Sequence, residues 1–260
     1  MGILQNKYYT EESIFKPENL LREVKRQKQL PDCKVPEICL LDPDGDILDY
    51  LLRSKKAEIN NCWSCYHTKM YSFDLAGIKL GIIGCVVGSS FAVLIAEQLF
   101  VSGCELLLSV TSSGIIKERN DQAEYILINE AIRDEGTSYH YLAPEQPSVI
   151  TPLLLAKLSS TLLHKASNVR IGKSWTTDAP YRETASAIEN MKSANVDVVE
   201  MEAAALYAFA TAKGKSIICF AHITNTMAQE GIDFEKGLEN GSIGSLQLIQ
   251  LTIESLADIL

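Results

Sequence analysis

The sequence predicts a single α/β domain, a sheet covered by helices on both faces. Two observations carry that expectation. Short runs that are apolar throughout, as in strands buried on both sides, alternate with longer helical patterns along nearly the whole chain. The chain also has 260 residues, 47% hydrophobic and 22% charged, with no repeat, linker or low-complexity tract, which is enough to bury one large core.

Residues 14–30 have the pattern of an amphipathic surface helix, with Pro17 in its first turn, so residues 1–34 are expected to form a helical extension ahead of a domain spanning 35–260. "VPEICLLD" (35–42) is an apolar strand that ends in the turn "DPDGD". "IKLGIIGCVVG" (78–88) is a buried strand entering a glycine turn, with Ser89 or Ser90 placed to cap the helix that follows. Further strands are expected at 104–114, 123–136, 168–178 and 215–225, and helices at 152–167, 183–196 and 245–260. Between them, "VDVVEMEAAALYAFATAKGK" (196–215) starts as a strand and turns helical near Glu202. Alanine favours the helix, and Gly214 suits its C-terminal cap.

Composition excludes some functions. A net charge of −9 lacks the basic footprint that nucleic acid requires, so no nucleic-acid partner is expected. No apolar run suits a bilayer span, no secretory leader is visible, and Asn6 stands where a myristoylation motif needs Ser or Thr. Seven scattered cysteines fit free thiols in a reducing cytoplasm better than a disulfide framework. Cys62, Cys65 and His67 in "CWSCYH" have half of a zinc spacing, but Cys33 and Cys39 are too far apart to complete it, so no metal is expected.

Five strand ends are rich in small and polar residues: "GCVVGSS", "SVTSSG", "WTTDAPYRET", "VEME" and "HITNTM". Each alone reads as a turn, but ligands in α/β sheets bind beyond strand ends. Glu200 and Glu202, two apart, share a face if the backbone is extended there, and paired carboxylates suit a diol.

The order of "GCVVGSSFAVLIAEQL", "SVTSSGII", "AIRDEGTSYHYLAP", "WTTDAPYRET" and "VVEMEAAALYAFA" resembles the nucleoside phosphorylase superfamily over roughly residues 35–258, with "AIRDEGTSYHYLAP" closest to the uridine phosphorylase branch. The resemblance implies one three-layer domain around a twisted, mixed, partly barrel-like sheet. It implies ribose binding by Glu200, Met201 and Glu202, with Glu202 the main diol acceptor, and Glu200, Glu202 and Asn225 around the reacting bond. It sets the base near Pro180, Tyr181, Arg182 and Glu183. For Arg182 and Glu183 the plainer reading, an exposed helix start, stands beside that one. Trp175 and His222 read as core residues.

Three departures bear on phosphate. Ser109 stands where the family has an arginine, no arginine follows the "LDPDGD" turn, and only His67 and Lys69 occupy the segment that carries a third. Ser109, Thr111, Ser112 and Ser113 are therefore a degenerate anion position of neutral donors. Asn225 stands where purine-specific members have an acid, and an amide cannot protonate a leaving base. The expected function is N-glycosidic cleavage of a nucleoside, leaning to uridine, by a homo-oligomer (a dimer or trimer of dimers). No cofactor is expected beyond inorganic phosphate as co-substrate. The alternatives are hydrolysis with water in place of phosphate, and a degenerate member that only binds nucleoside.

Overall fold

The computed structural model describes residues 2–117, 123–227 and 233–258. In chain order it contains α1 (Pro17–Lys28), β1 (Ile38–Asp42), α2 (Asp46–Arg53), β2 (Ala57–Ile59), β3 (Tyr71–Leu75), β4 (Ile78–Gly84), α3 (Ser89–Val101), β5 (Leu106–Ile115) and β6 (Tyr125–Asp134). There follow β7 (Ser148–Val149), α4 (Pro152–Lys165), β8 (Val169–Thr177), α5 (Ala185–Ser193), β9 (Val198–Glu200), α6 (Ala203–Lys213), β10 (Ser216–Thr226) and α7 (Ser242–Leu256).

One mixed ten-stranded sheet runs β10-β6-β8-β9-β5-β1-β4-β3-β2, with β7 on β6. Because β10 also pairs with β5, the five strands β10, β6, β8, β9 and β5 close on themselves, and β1, β4, β3 and β2 extend the sheet from that ring. β1, β4, β5 and β10 are mutually parallel, so Asp42, Gly84, the Thr111–Gly114 stretch and His222–Asn225 all reach the same edge. That edge is where the outgoing loops converge on a ligand in sheets of this kind.

The helices follow from burial. In α6 every residue from Ala203 to Ala210 is buried, and its run of alanines lets α3 and the sheet come close to its backbone. Tyr207 brings a polar group into that layer, and its hydroxyl donates to the Ile128 carbonyl and accepts from the Cys219 amide. α4 packs on α7, and α1 lies against α3 through buried Leu21 and Val24. Trp175 is a core residue as expected, with its ring against Ile116, Val196 and Val199 and its indole N–H on Asp134.

Several expectations need correction. α2 was hidden because "DILDYLLR" follows a turn and is only eight residues long. β2, β3 and β7 were missed because short strands carry little periodicity. α5 begins two residues later than expected, since Thr184 is its N-cap and accepts from the Ala187 amide. Residues 259–260 of the expected closing helix lie outside the described residues. Cys33 and Cys62 form a disulfide across 29 positions, so these two are not free thiols and Cys62 is not available to a zinc site with Cys65 and His67. The bridge ties the segment after α1 to the loop before β3, where the Lys28 ammonium also donates to the Cys65 carbonyl. Cysteine usage therefore gives no argument for a reducing compartment. Among the described residues no helix is long and apolar enough to cross a membrane.

Candidate active site

The turn from β9 into α6 builds the centre of the site. The backbone bends at Met201, so Glu200 and Glu202 no longer share a face and the two carboxylates diverge. This corrects the same-face expectation, which required the strand to continue. Glu200 points into the protein. One of its oxygens accepts the Glu202 and Ala203 amides, both at 2.7 Å, and the other accepts the Thr176 hydroxyl. Thr176 accepts the Ala204 amide in turn, at 3.0 Å. Three amides that open α6 are thus satisfied inside the protein, as a buried helix start requires.

Glu202 turns the other way, to the β4–α3 turn and the end of β5. Its carboxylate accepts the Gly88 amide at 2.7 Å and the Thr111 hydroxyl at 3.0 Å. Gly88, at φ 93°, is the N-cap of α3, a conformation that disfavours any side chain. Neither Ser89 nor Ser90 caps the helix. Ser89 is its first residue, and its hydroxyl donates to the Met201 carbonyl at 2.7 Å, clamping α3 to the Glu200–Glu202 turn. Burial first, and the Glu200 charge second, push the Glu202 carboxyl up to about 8. Burial raises Glu200 as well, and its hydrogen bonds from Thr176, Ala203 and Glu202 offset part of that rise.

Where the resemblance implies an anion, the chain places its own acid. The Ser112 amide donates to Asp44 at 2.8 Å. Asp44 and Asp46 share the Lys236 ammonium, at 3.5 and 2.6 Å. Thr111 and Ser112 line a small cavity there with Asp42, Asp44 and His222, whereas Ser109 and Ser113 do not. Ser109 sits within β5 between Leu41 and Cys219, its hydroxyl buried and without a hydrogen-bond partner among the described residues, and Ser113 donates to the His222 carbonyl. His67 and Lys69 are exposed on the loop before β3 and do not line this cavity. His222 is only half-buried and stacks on Tyr125, with ring centroids 4.7 Å apart.

Asp42 completes the turn. Its carboxylate accepts the Leu48 amide at 2.9 Å in the first turn of α2. Burial, partly offset by the Leu48 and Gly45 amides, raises it from 3.8 to about 7. A carboxylate raised on folding contributes most below its unfolded value, and that contribution erodes as pH climbs to about 7. Asp42→Asn keeps the acceptor and removes the ionisation. It is expected to match the parent only below about pH 4 and to exceed it increasingly as pH rises, by on the order of 4 kcal/mol at pH 8, read from denaturant midpoints. A parent that gains on the variant as pH rises would show Asp42 to be stabilised as an anion instead.

The expected base-side residues form a separate ledge. Pro180–Arg182 is a single 3-10 turn beyond β8, with Tyr181 and Arg182 exposed and Glu183 half-buried, its carboxyl raised by that burial. Glu183 stands one residue before the Thr184 cap, at the start of α5 though outside its first turn. Asn225 lies at a register shift of β10 opposite Gly114, where a β-carbon would come within 3.2 Å of its amide nitrogen. Its own side chain bonds locally, to Thr224 and the Thr226 carbonyl. Sequence reasoning missed Gly88, Thr176, Asp44 as a ligand of Ser112, and Lys236. Of these, only Gly88, at a strand-to-helix turn, left a readable signal.

A guanosine phosphorylase of Halorubrum lacusprofundi is 27% identical over 146 residues, 56% of this chain and 61% of that protein. A uridine phosphorylase of Thermococcus kodakarensis is 25% identical over 216 residues, 72% of this chain and 78% of that protein. The solved structure of Toxoplasma gondii purine nucleoside phosphorylase in complex with immucillin-H superposes with a TM-score of 0.71 at 17% identity. It covers 88% of this chain and 92% of that one, a likeness of fold. The model of the phosphorylase superfamily matches residues 37–257, from the residue before β1 to the end of α7, and the chain belongs to that superfamily.

Proposed function

We propose that the chain cleaves the N-glycosidic bond of a pyrimidine ribonucleoside, with Glu202 accepting the ribose diol and Glu200 positioning it. The observation that carries this reading is the division of labour between the two carboxylates. Glu200 is consumed by three internal donors, while Glu202 is fixed by two and keeps acceptor capacity near the sheet edge where β1, β4, β5 and β10 end. A fixed carboxylate near the sugar also stabilises the positive charge that develops as the bond breaks. Glu202 is 1% exposed, so the sugar enters by displacing what covers it, and Met201 beside it is half-exposed. The pyrimidine part rests on Asn225, which cannot protonate a departing purine.

The two relatives are a guanosine phosphorylase and a uridine phosphorylase, so both nucleosides are the probes. Chromatography of the released base is expected to show uracil formed at least about tenfold faster than guanine, a discrimination of about 1.4 kcal/mol. Faster guanine release would contradict the pyrimidine assignment. No release and no binding of either nucleoside would contradict the function itself.

A further inference from the structure

We propose that Asp44 stands where a second, anionic substrate would bind, so that water attacks the nucleoside and Asp44 accepts its proton. This rests on the reading of the Glu202 region as the sugar site.

Four observations converge. The Ser112 amide, in the second half of β5 where the resemblance implies an anion, already donates to the Asp44 carboxylate at 2.8 Å. The adjoining cavity leaves about 10 Å³ for the centre of a water molecule, which is about one water's room. It is lined by Asp42, Asp44, Asp46, Thr111, Ser112 and His222, enough polar groups to hold a water. The charge there also opposes a dianion: Lys236 faces both Asp44 and Asp46, so this trio is net negative before Asp42 ionises. Finally, Thr111 holds Glu202 while its neighbour Ser112 holds Asp44. The sugar-binding and water-holding carboxylates are thereby anchored to consecutive residues of one strand.

The step balances without any further reactant. The water oxygen forms a bond to C1′ as the C1′–N bond breaks, and the bonding electron pair leaves with the base. The water's proton passes to the Asp44 carboxylate, and the base, leaving as an anion, takes up a proton from solvent. Asp44 then returns its proton to solvent. The products are free ribose and free base.

The test uses the full-length chain with ribose-labelled uridine and guanosine, each with and without millimolar inorganic phosphate. The expected product is free ribose, at a rate that phosphate leaves unchanged. Asp44→Asn keeps an acceptor for the Ser112 amide. It is therefore expected to fold with an unchanged melting temperature, to hold the nucleoside KM within a few-fold, and to lose kcat by about 100-fold or more. Ribose 1-phosphate as product, a rate that climbs with phosphate, or a full rate in the folded Asn variant would each overturn the proposal. If calorimetry shows binding but neither nucleoside is cleaved, the water step is wrong and the sugar site stands. If neither nucleoside binds, the sugar-site reading falls, and this proposal with it.

Discussion

Glu202→Gln is expected to fold as the parent does and to lose ribonucleoside affinity by about 100-fold or more. Folding survives because the carboxamide oxygen still accepts the Gly88 amide, while its NH₂ donates to the Thr111 hydroxyl that formerly donated to it. The unliganded parent is already largely protonated at this position at neutral pH, so the neutral amide is close to isosteric with it. Binding is different. Two ribose hydroxyls donating to a carboxylate make charge-assisted bonds, each worth about 1.5–3 kcal/mol, and an amide supplies one acceptor without charge. A loss of about 3 kcal/mol corresponds to roughly two decades in Kd. The parent's affinity should also rise with pH and level off above about 8, because the diol selects the ionised carboxylate, whereas the Gln variant should be flat. Calorimetric titration with uridine and 2′-deoxyuridine checks both statements. Equal affinity of parent and variant, or no preference of the parent for the ribonucleoside, would remove Glu202 from the sugar.

Glu200→Ala is expected to be the most damaging single truncation of the site's scaffold, by about 4 kcal/mol. It strands the buried amides of Glu202 and Ala203 and leaves Thr176 without its acceptor. Each unsatisfied buried donor costs about 1–3 kcal/mol, against a typical total stability of about 5–15 kcal/mol. Glu200→Gln separates structure from charge. One Gln oxygen still accepts both amides and its NH₂ donates to Thr176, so its cost should stay within about 1 kcal/mol. Urea denaturation of the two variants decides the matter. An Ala variant as stable as the parent would show Glu200 to be free of the scaffold and available to ligand.

Much of the fold was legible because buried strands and long helices announce themselves by composition and period. β4, β5, β8 and β10 fall inside runs where nearly every side chain is apolar or small, and α6 was marked by its alanines and by Gly214. Short elements such as α2 and β2 have too few residues for a period to emerge. The closed ring was not visible in the residues, since the pairing of β10 with β5 joins segments about a hundred residues apart; only the family resemblance implied it. At the site, sequence named the right turn and the wrong geometry. A bend at Met201 separates carboxylates that an extended strand would have kept together. Asp44 sits in a turn that gave no hint of a partner, and the fold brings it to the Ser112 amide 68 positions away. Contacts at that range have no local signature.

The central claim is that Glu202 holds a ribose diol. A crystal structure with pseudouridine, whose carbon–carbon glycosidic bond resists cleavage, tests it most directly. The account predicts both the 2′- and 3′-hydroxyls within about 3 Å of the Glu202 carboxylate, with Glu200 still bonded to the amides of Glu202 and Ala203. A sugar seated elsewhere, with the Glu202 carboxylate still held only by Gly88 and Thr111, would contradict it.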